Sequence, residues 1–287
     1  MIYADFFLRN QETYLCITQE DVPEVKEQIF SEKRIALEIG AVVVLPCFPA
    51  IQKLILLPGE CAACGRPLHI SCSALELKID YYSDEIDDYT VDLSGMFNLN
   101  YVFSRSLYGF CHADKCAKLK AITIGEWCEA GFRYLGQSEA EAIDILRGRL
   151  VNLSGVEEIK NLRFLSISYC PRLQDLSHLS RCSELDSLIL ENCGSKWLPH
   201  VPVLPHLRFL RIRTPSIPSA TWFDRFPNLQ YLILDTKIED GKMEPFCKLQ
   251  HCMLITEHPH YTLRNCDLPK SEIVLPRDAC NYALPVR

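Results

Sequence analysis

The chain has 287 residues, 48% of them apolar and 23% charged, the proportions of a folded globular protein and not of a disordered one. That length accommodates two ordinary domains, or one domain joined to a repeat array. The net charge of −7 argues against a phosphate-backbone ligand, which needs clustered Lys and Arg, so nucleic acid is not an expected partner.

The N-terminus carries Asp5 where a signal peptide has positive charge, and it lacks an apolar core of export length. The most apolar region, residues 35–57, is broken by Glu38, Pro46, Pro49 and Lys53, so it is not expected to cross a membrane. A cytoplasmic protein is expected. Its 15 cysteines then read as reduced thiols, some as metal ligands and some as small core residues.

In chain order, Asp21 as N-cap and Pro23 in the first turn predict a helix over 22–34. Two Val/Leu/Ile-rich runs bounded by Pro, 41–47 and 52–57, predict strands, and 75–82 and 101–108 are further strand candidates. With no repeat visible there, residues 1–130 read as an α+β domain. They hold 11 Lys/Arg against 19 Asp/Glu, much of the excess lying between Asp80 and Asp92. An acidic-aromatic stretch of this kind is a solvated loop or a docking surface for a basic protein.

Metal chemistry is concentrated in Cys61-Ala-Ala-Cys64-Gly65 and Cys111-His-Ala-Asp-Lys-Cys116. Four thiolates from Cys61, Cys64, Cys111 and Cys116 would close a tetrahedron around a structural zinc and leave no position for water. His69, Cys72 and His112 are alternative ligands. Locally the spacing resembles a zinc knuckle. The deaminase order, His-x-Glu followed by Pro-Cys-x-x-Cys, is absent: His112-Ala-Asp114 has the wrong acid and follows the Cys pair. Phosphate-loop, Gly-x-Ser-x-Gly and His-Glu-x-x-His motifs are absent too. Cys128 lies between Glu126 and Glu129, whose charges would raise its pKa.

Ser138-x-x-Glu141 forms a capping box, which predicts a helix over 140–149. Beyond it the chain repeats. Leu162-x-x-Leu165-x-Ile167-x-x-Cys170 is followed by Leu185-x-x-Leu188-x-Leu190-x-x-Cys193. Then come Leu207-x-x-Leu210-x-Ile212, Leu229-x-x-Leu232-x-Leu234 and the weaker Leu249-x-x-Cys252-x-Leu254. Thr214 and Thr236 lie near the position of the two cysteines in the later copies, which predicts irregular turns there.

These residues resemble the leucine-rich repeat family, in its short internalin-like bacterial class. The resemblance implies one strand per repeat, stacked into a curved parallel sheet. The expected fold class is therefore α/β: a zinc-stabilised α+β domain (1–130), then a repeat array with an N-terminal capping helix (138–265), then a C-terminal capping tail (266–287). Alternation along each strand sends the Leu positions inward and three rows outward. Those rows are Phe164, Ser187, Phe209, Tyr231, His251; Ser166, Ile189, Arg211, Ile233, Met253; and Ser168, Glu191, Arg213, Asp235, Ile255. Aromatic residues and Arg are favoured at interface centres. Phe164, Glu191, Phe209, Arg211, Arg213, Tyr231 and Asp235 are accordingly expected to bind another protein through the concave face. The expected function is non-enzymatic recognition, with an immunity protein that inhibits a toxin as one form. A zinc-containing ubiquitin-ligase-like adaptor or enzyme is the alternative.

Overall fold

The computed structural model describes residues 74–79, 90–135 and 138–270, and in addition the backbone of six strands nearer the N-terminus. The chain divides into two compact units, one up to Glu126 and the other from Trp127 onward, with residues 138–140 grouping with the first. Among the described residues every helical turn is a 3-10 turn, and no helix is long and apolar enough to cross a membrane.

The first unit holds β1 (Ile2–Ala4), β2 (Tyr14–Thr18), β3 (Arg34–Ile39), β4 (Leu45–Phe48), β5 (Lys53–Pro58), β6 (Leu68–Cys72), β7 (Glu76–Ile79), β8 (Val91–Asp92), β9 (Tyr101–Ser106), β10 (Phe110–Cys111) and β11 (Ala121–Glu126). The strands form two sheets. One runs β1-β2-β3-β5-β7-β9-β11 and the other β10-β8-β6-β4. Only the β1–β2 pair is antiparallel among the pairings described.

Where a non-repeating α+β domain was expected, the described strands follow a repeat. Leu15, Ile35, Leu54, Leu77, Val102 and Ile122 stand at one register level across six neighbouring parallel strands, 19 to 25 residues apart. Each turn of chain places one strand in this sheet, as each repeat of the second unit does. Parallel pairing needs a crossover between successive strands, and here a second strand, placed in the opposite sheet, occupies part of it. The segments predicted as strands agree with β4, β5, β7 and β9. Of the helix predicted over 22–34, residues 22–33 lie outside the described residues, and Arg34 begins β3.

The second unit holds β12 (Ala142–Ile145), β13 (Phe164–Ser168), β14 (Ser187–Glu191), β15 (Phe209–Ile217), β16 (Tyr231–Ile238) and β17 (His251–Leu254), all parallel and in sequential order. Leu165, Leu188, Leu210, Leu232 and Cys252 share one level, and Ile167, Leu190, Ile212, Leu234 and Leu254 another. All of them are buried. Parallel strands with one face packed in this way form a continuous core that no single repeat could bury.

The expected capping helix over 140–149 is a strand. Ile143 and Ile145 are fully buried and pair with Leu165 and Ile167, so the period of two prevails over the local capping box. Glu141 contributes its carbonyl, which accepts from Arg163 and Phe164. Ser138 Oγ is buried and makes no hydrogen bond among the described residues, so it caps nothing.

Two turn chemistries separate the repeats. After β13 and β14 the chain reverses through Tyr169 (φ 49°) and Asn192 (φ 55°), left-handed residues that direct the following cysteines inward. Cys193 Sγ donates to the Ile167 and Glu191 carbonyls, each at 3.3 Å, and Cys170 Sγ to the Ser168 carbonyl at 3.5 Å. Where the sequence changes to Thr214 and Thr236, no such turn forms. There β15 and β16 run on, with a register shift between Arg213 and Ser216. The threonine hydroxyls take over as donors, Thr214 to the Gly194 carbonyl (2.7 Å) and Thr236 to that of Ile212 (3.3 Å).

The free edge of β17 is covered from 255–270, ahead of most of the expected tail. Asn265 Oδ1 accepts from the Leu254 N–H and its Nδ2 donates to the Leu254 carbonyl, while the Pro269 carbonyl accepts from the Cys252 N–H. An edge strand left bare would present these groups as a template for further pairing. The remainder of the tail, 271–287, lies outside the described residues.

Candidate functional site

The three rows read from the sequence are rows in the structure. Register pairs Phe164, Ser187, Phe209, Tyr231 and His251 in one line; Asp144, Ser166, Ile189, Arg211, Ile233 and Met253 in the next; Ser168, Glu191, Arg213 and Asp235 in the third. Their exposure corrects the expectation. Phe164, Phe209 and Tyr231 are buried, as is the whole first row, so their rings are not an open contact surface. Tyr231 keeps a polar partner, donating from Oη to Gln250 Oε1 at 2.9 Å.

The reachable surface lies in the other two rows. Arg211 and Arg213 have side chains 42% and 52% exposed; Met253 (38%) is exposed in the second row, and Ile255 (50%) is exposed just past the end of β17. Two ion pairs orient the guanidinium groups. Arg211 Nε meets Glu191 Oε1, and Arg213 Nε lies 3.1 Å from Asp235 Oδ2, whose other oxygen accepts from Thr256 Oγ1. Each pair crosses between adjacent strands, so the charges form a ladder of alternating sign. In water such pairs contribute about 0.5 kcal/mol each, which makes them positioning devices more than a source of stability.

Asp144 opens the second row and was missed in the sequence, where it was assigned to a helix. It is buried beside Ser166, and burial pushes its carboxyl up to about 6; a hydrogen bond from Ser166 opposes this and the Glu191 charge adds to it. The group stands at the β12 end of the row, three strands from Arg211.

Of the four expected zinc ligands, Cys61 and Cys64 lie outside the described residues. Cys111 and Cys116 have different surroundings. Cys116 is 1% exposed, its Sγ donating to the Leu93 carbonyl at 3.3 Å, and burial pushes the thiol up to about 11. Cys111 ends β10 at the sheet surface, its Sγ 3.5 Å from His112 Nδ1, and the same nitrogen lies 2.9 Å from Asp92 Oδ1. Asp92 had not been singled out. The signal that could have found it is the ladder, since Asp92 and Cys111 are register partners on neighbouring strands.

Cys111, His112 and Asp92 are the residue types of a thiol-protease triad, but the geometry is not that of one. Thiol and carboxylate meet the same imidazole nitrogen, whereas base catalysis needs the carboxylate on one nitrogen and the nucleophile on the other. Burial, then the charges of Asp92 and Asp114, push the Cys111 thiol up, away from a thiolate. Among the other thiols, burial raises Cys182 and Cys252 to about 12, and a hydrogen bond with Cys193 followed by burial raises Cys170.

No protein-family model matches the chain, and neither does any curated protein. Among solved structures, an internalin (inlF) from Listeria monocytogenes is 12% identical, over 74% of this chain and 71% of its own, with a TM-score of 0.42. The leucine-rich repeat domain of the type III effector XopL is 14% identical, over 85% of this chain and 83% of its own, also with a TM-score of 0.42.

Proposed function

We propose that this chain is a non-enzymatic protein-binding module whose partner docks on the strand face of the second unit, around Arg211, Arg213, Met253 and Ile255. The observation that carries this reading is the exposure of Met253, in the same row as Arg211, and of Ile255 just past the end of β17. Apolar side chains beside guanidinium groups that carboxylates already hold in place lower the ordering cost of an interface and supply its anchors. Burial pushes the Cys182 and Cys252 thiols up, which argues against those two as nucleophiles. Phe164, Phe209 and Tyr231 are buried in the first row, and Glu191 and Asp235 orient the arginines. In its narrower form the partner is an enzyme that the module blocks one-to-one, as an immunity protein blocks a toxin.

The test is a paired capture from the source lysate with wild type and an Arg213→Glu/Ile255→Asp double variant, both with native circular dichroism. A protein held by the wild type at least tenfold better than by the variant is expected, and the purified pair then tests inhibition. Equal retention of every captured protein would remove this face from consideration.

A further inference from the structure

We propose that Asp92, Cys111 and His112 form a zinc site in the first unit, from which Cys116 is excluded. The ligand is a divalent cation of borderline softness, because thiolate, imidazole and carboxylate are together the donor set zinc accepts.

The backbone explains why three donors converge. In an extended strand, neighbouring residues point to opposite faces, so Cys111 and His112 would diverge. His112 instead has φ 59° and ψ 35°, a left-handed conformation uncommon outside glycine. That turn swings the imidazole back beside the preceding thiol and onto Asp92. Asp92 is fixed from two sides. It pairs in register with Cys111 across β8 and β10, and its Oδ1 accepts the Ser94 N–H at 2.9 Å.

The three ligand atoms all lie within 4.8 Å of one another. A tetrahedral zinc with ordinary bond lengths holds sulfur and nitrogen about 3.6 Å apart, and nitrogen and oxygen about 3.3 Å apart. The corresponding separations here are 3.5 Å and 2.9 Å, so small rotations of the side chains admit the ion. Asp92 is buried and His112 is half exposed, which leaves an ion a route in from solvent. Cys116, by contrast, spends its thiol proton on the Leu93 carbonyl inside the core. On the register ladder His69 stands level with Asp92, and so level with Cys111, across three adjacent strands of the same sheet.

The test loads the full chain with zinc, then with cobalt, and reads metal stoichiometry after gel filtration and the thiolate-to-cobalt charge-transfer absorption. Wild type is expected to hold one equivalent. Cys111→Ser should abolish the charge-transfer band, and His112→Asn and Asp92→Asn should each weaken zinc binding tenfold or more in a chelator competition. Cys116→Ala should leave band and affinity within twofold of wild type. Asp92→Asn retains an acceptor for Ser94, and circular dichroism of each apo variant separates lost metal from lost fold. A full equivalent in the folded Cys111→Ser variant, or a band lost with Cys116→Ala, would overturn the proposal.

Discussion

At the scale of the residue, Asp144 and Gly155 carry the clearest consequences. An unfolded aspartate titrates near 4, while burial holds the folded Asp144 carboxyl up to about 6. Between those values the native state binds more protons than the unfolded one. Stability therefore falls as pH rises from about 4 to about 6 and stays lower above. Asp144→Asn removes this dependence. The variant is expected to match wild type at pH 4 and to exceed it at pH 7 by something on the order of 2–3 kcal/mol. Urea midpoints at four pH values would check it, and parallel profiles would show that Asp144 does not titrate this way. Gly155 is a different case. It has φ +94°, and an added Cβ would lie 2.8 Å from the Arg133 nitrogen. Gly155→Ala combines a strained backbone with a backbone clash, so a loss of about 1–3 kcal/mol in denaturant unfolding is expected.

At the scale of the element, Tyr261 anchors the segment that follows β17. Its buried Oη accepts from the Ile238 N–H at 2.9 Å and donates to the Thr236 carbonyl at 3.2 Å, tying the last turn to the end of β16. Tyr261→Phe would leave that buried N–H without its acceptor, at a cost of about 1–3 kcal/mol. A thermal midpoint equal to wild type would mean that this end is held elsewhere. Elements of this kind are hard to read from sequence, because one hydroxyl serves two backbone groups of a strand more than twenty residues away. The strands of the second unit were legible for the opposite reason. Leu, Ile and Leu recur at two-residue spacing and at steps of 20 to 23 residues, and both periods point to one strand per repeat. In the first unit the same period was hidden: steps range from 19 to 25, and Val102-x-Ser104 replaces a Leu pair. The capping box at Ser138 misled because it is local evidence, and β12 is decided by pairing with β13. Of the candidate surface, row membership was legible and exposure was not, since burial of Phe164 and Phe209 depends on packing that alternation cannot reveal.

At the scale of the whole molecule, both units follow one construction rule, in which each strand is stabilised mainly by the strands beside it. Stability in such a system is a sum of repeat and neighbour contributions, so position along the array matters as much as residue type. Leu188 in β14 and Leu254 in β17 test this. Both are buried leucines on inward-facing levels, but β14 pairs with a strand on each side, whereas β17 pairs with β16 alone among the described strands. Leu188→Ala removes packing from three consecutive repeats and is expected to cost about 3–5 kcal/mol, near the upper end for a core leucine. Leu254→Ala should cost about 2 kcal/mol, because the end of the array can relax around the vacated space. Hydrogen exchange should separate them further. The interior substitution should lower protection in β13, β14 and β15 together, and the terminal one should lower it in β17 and the 255–270 segment while leaving β13 as in wild type. If both variants lowered protection equally in all six strands, the second unit would be a single cooperative block and the neighbour-by-neighbour account of its stability would be wrong.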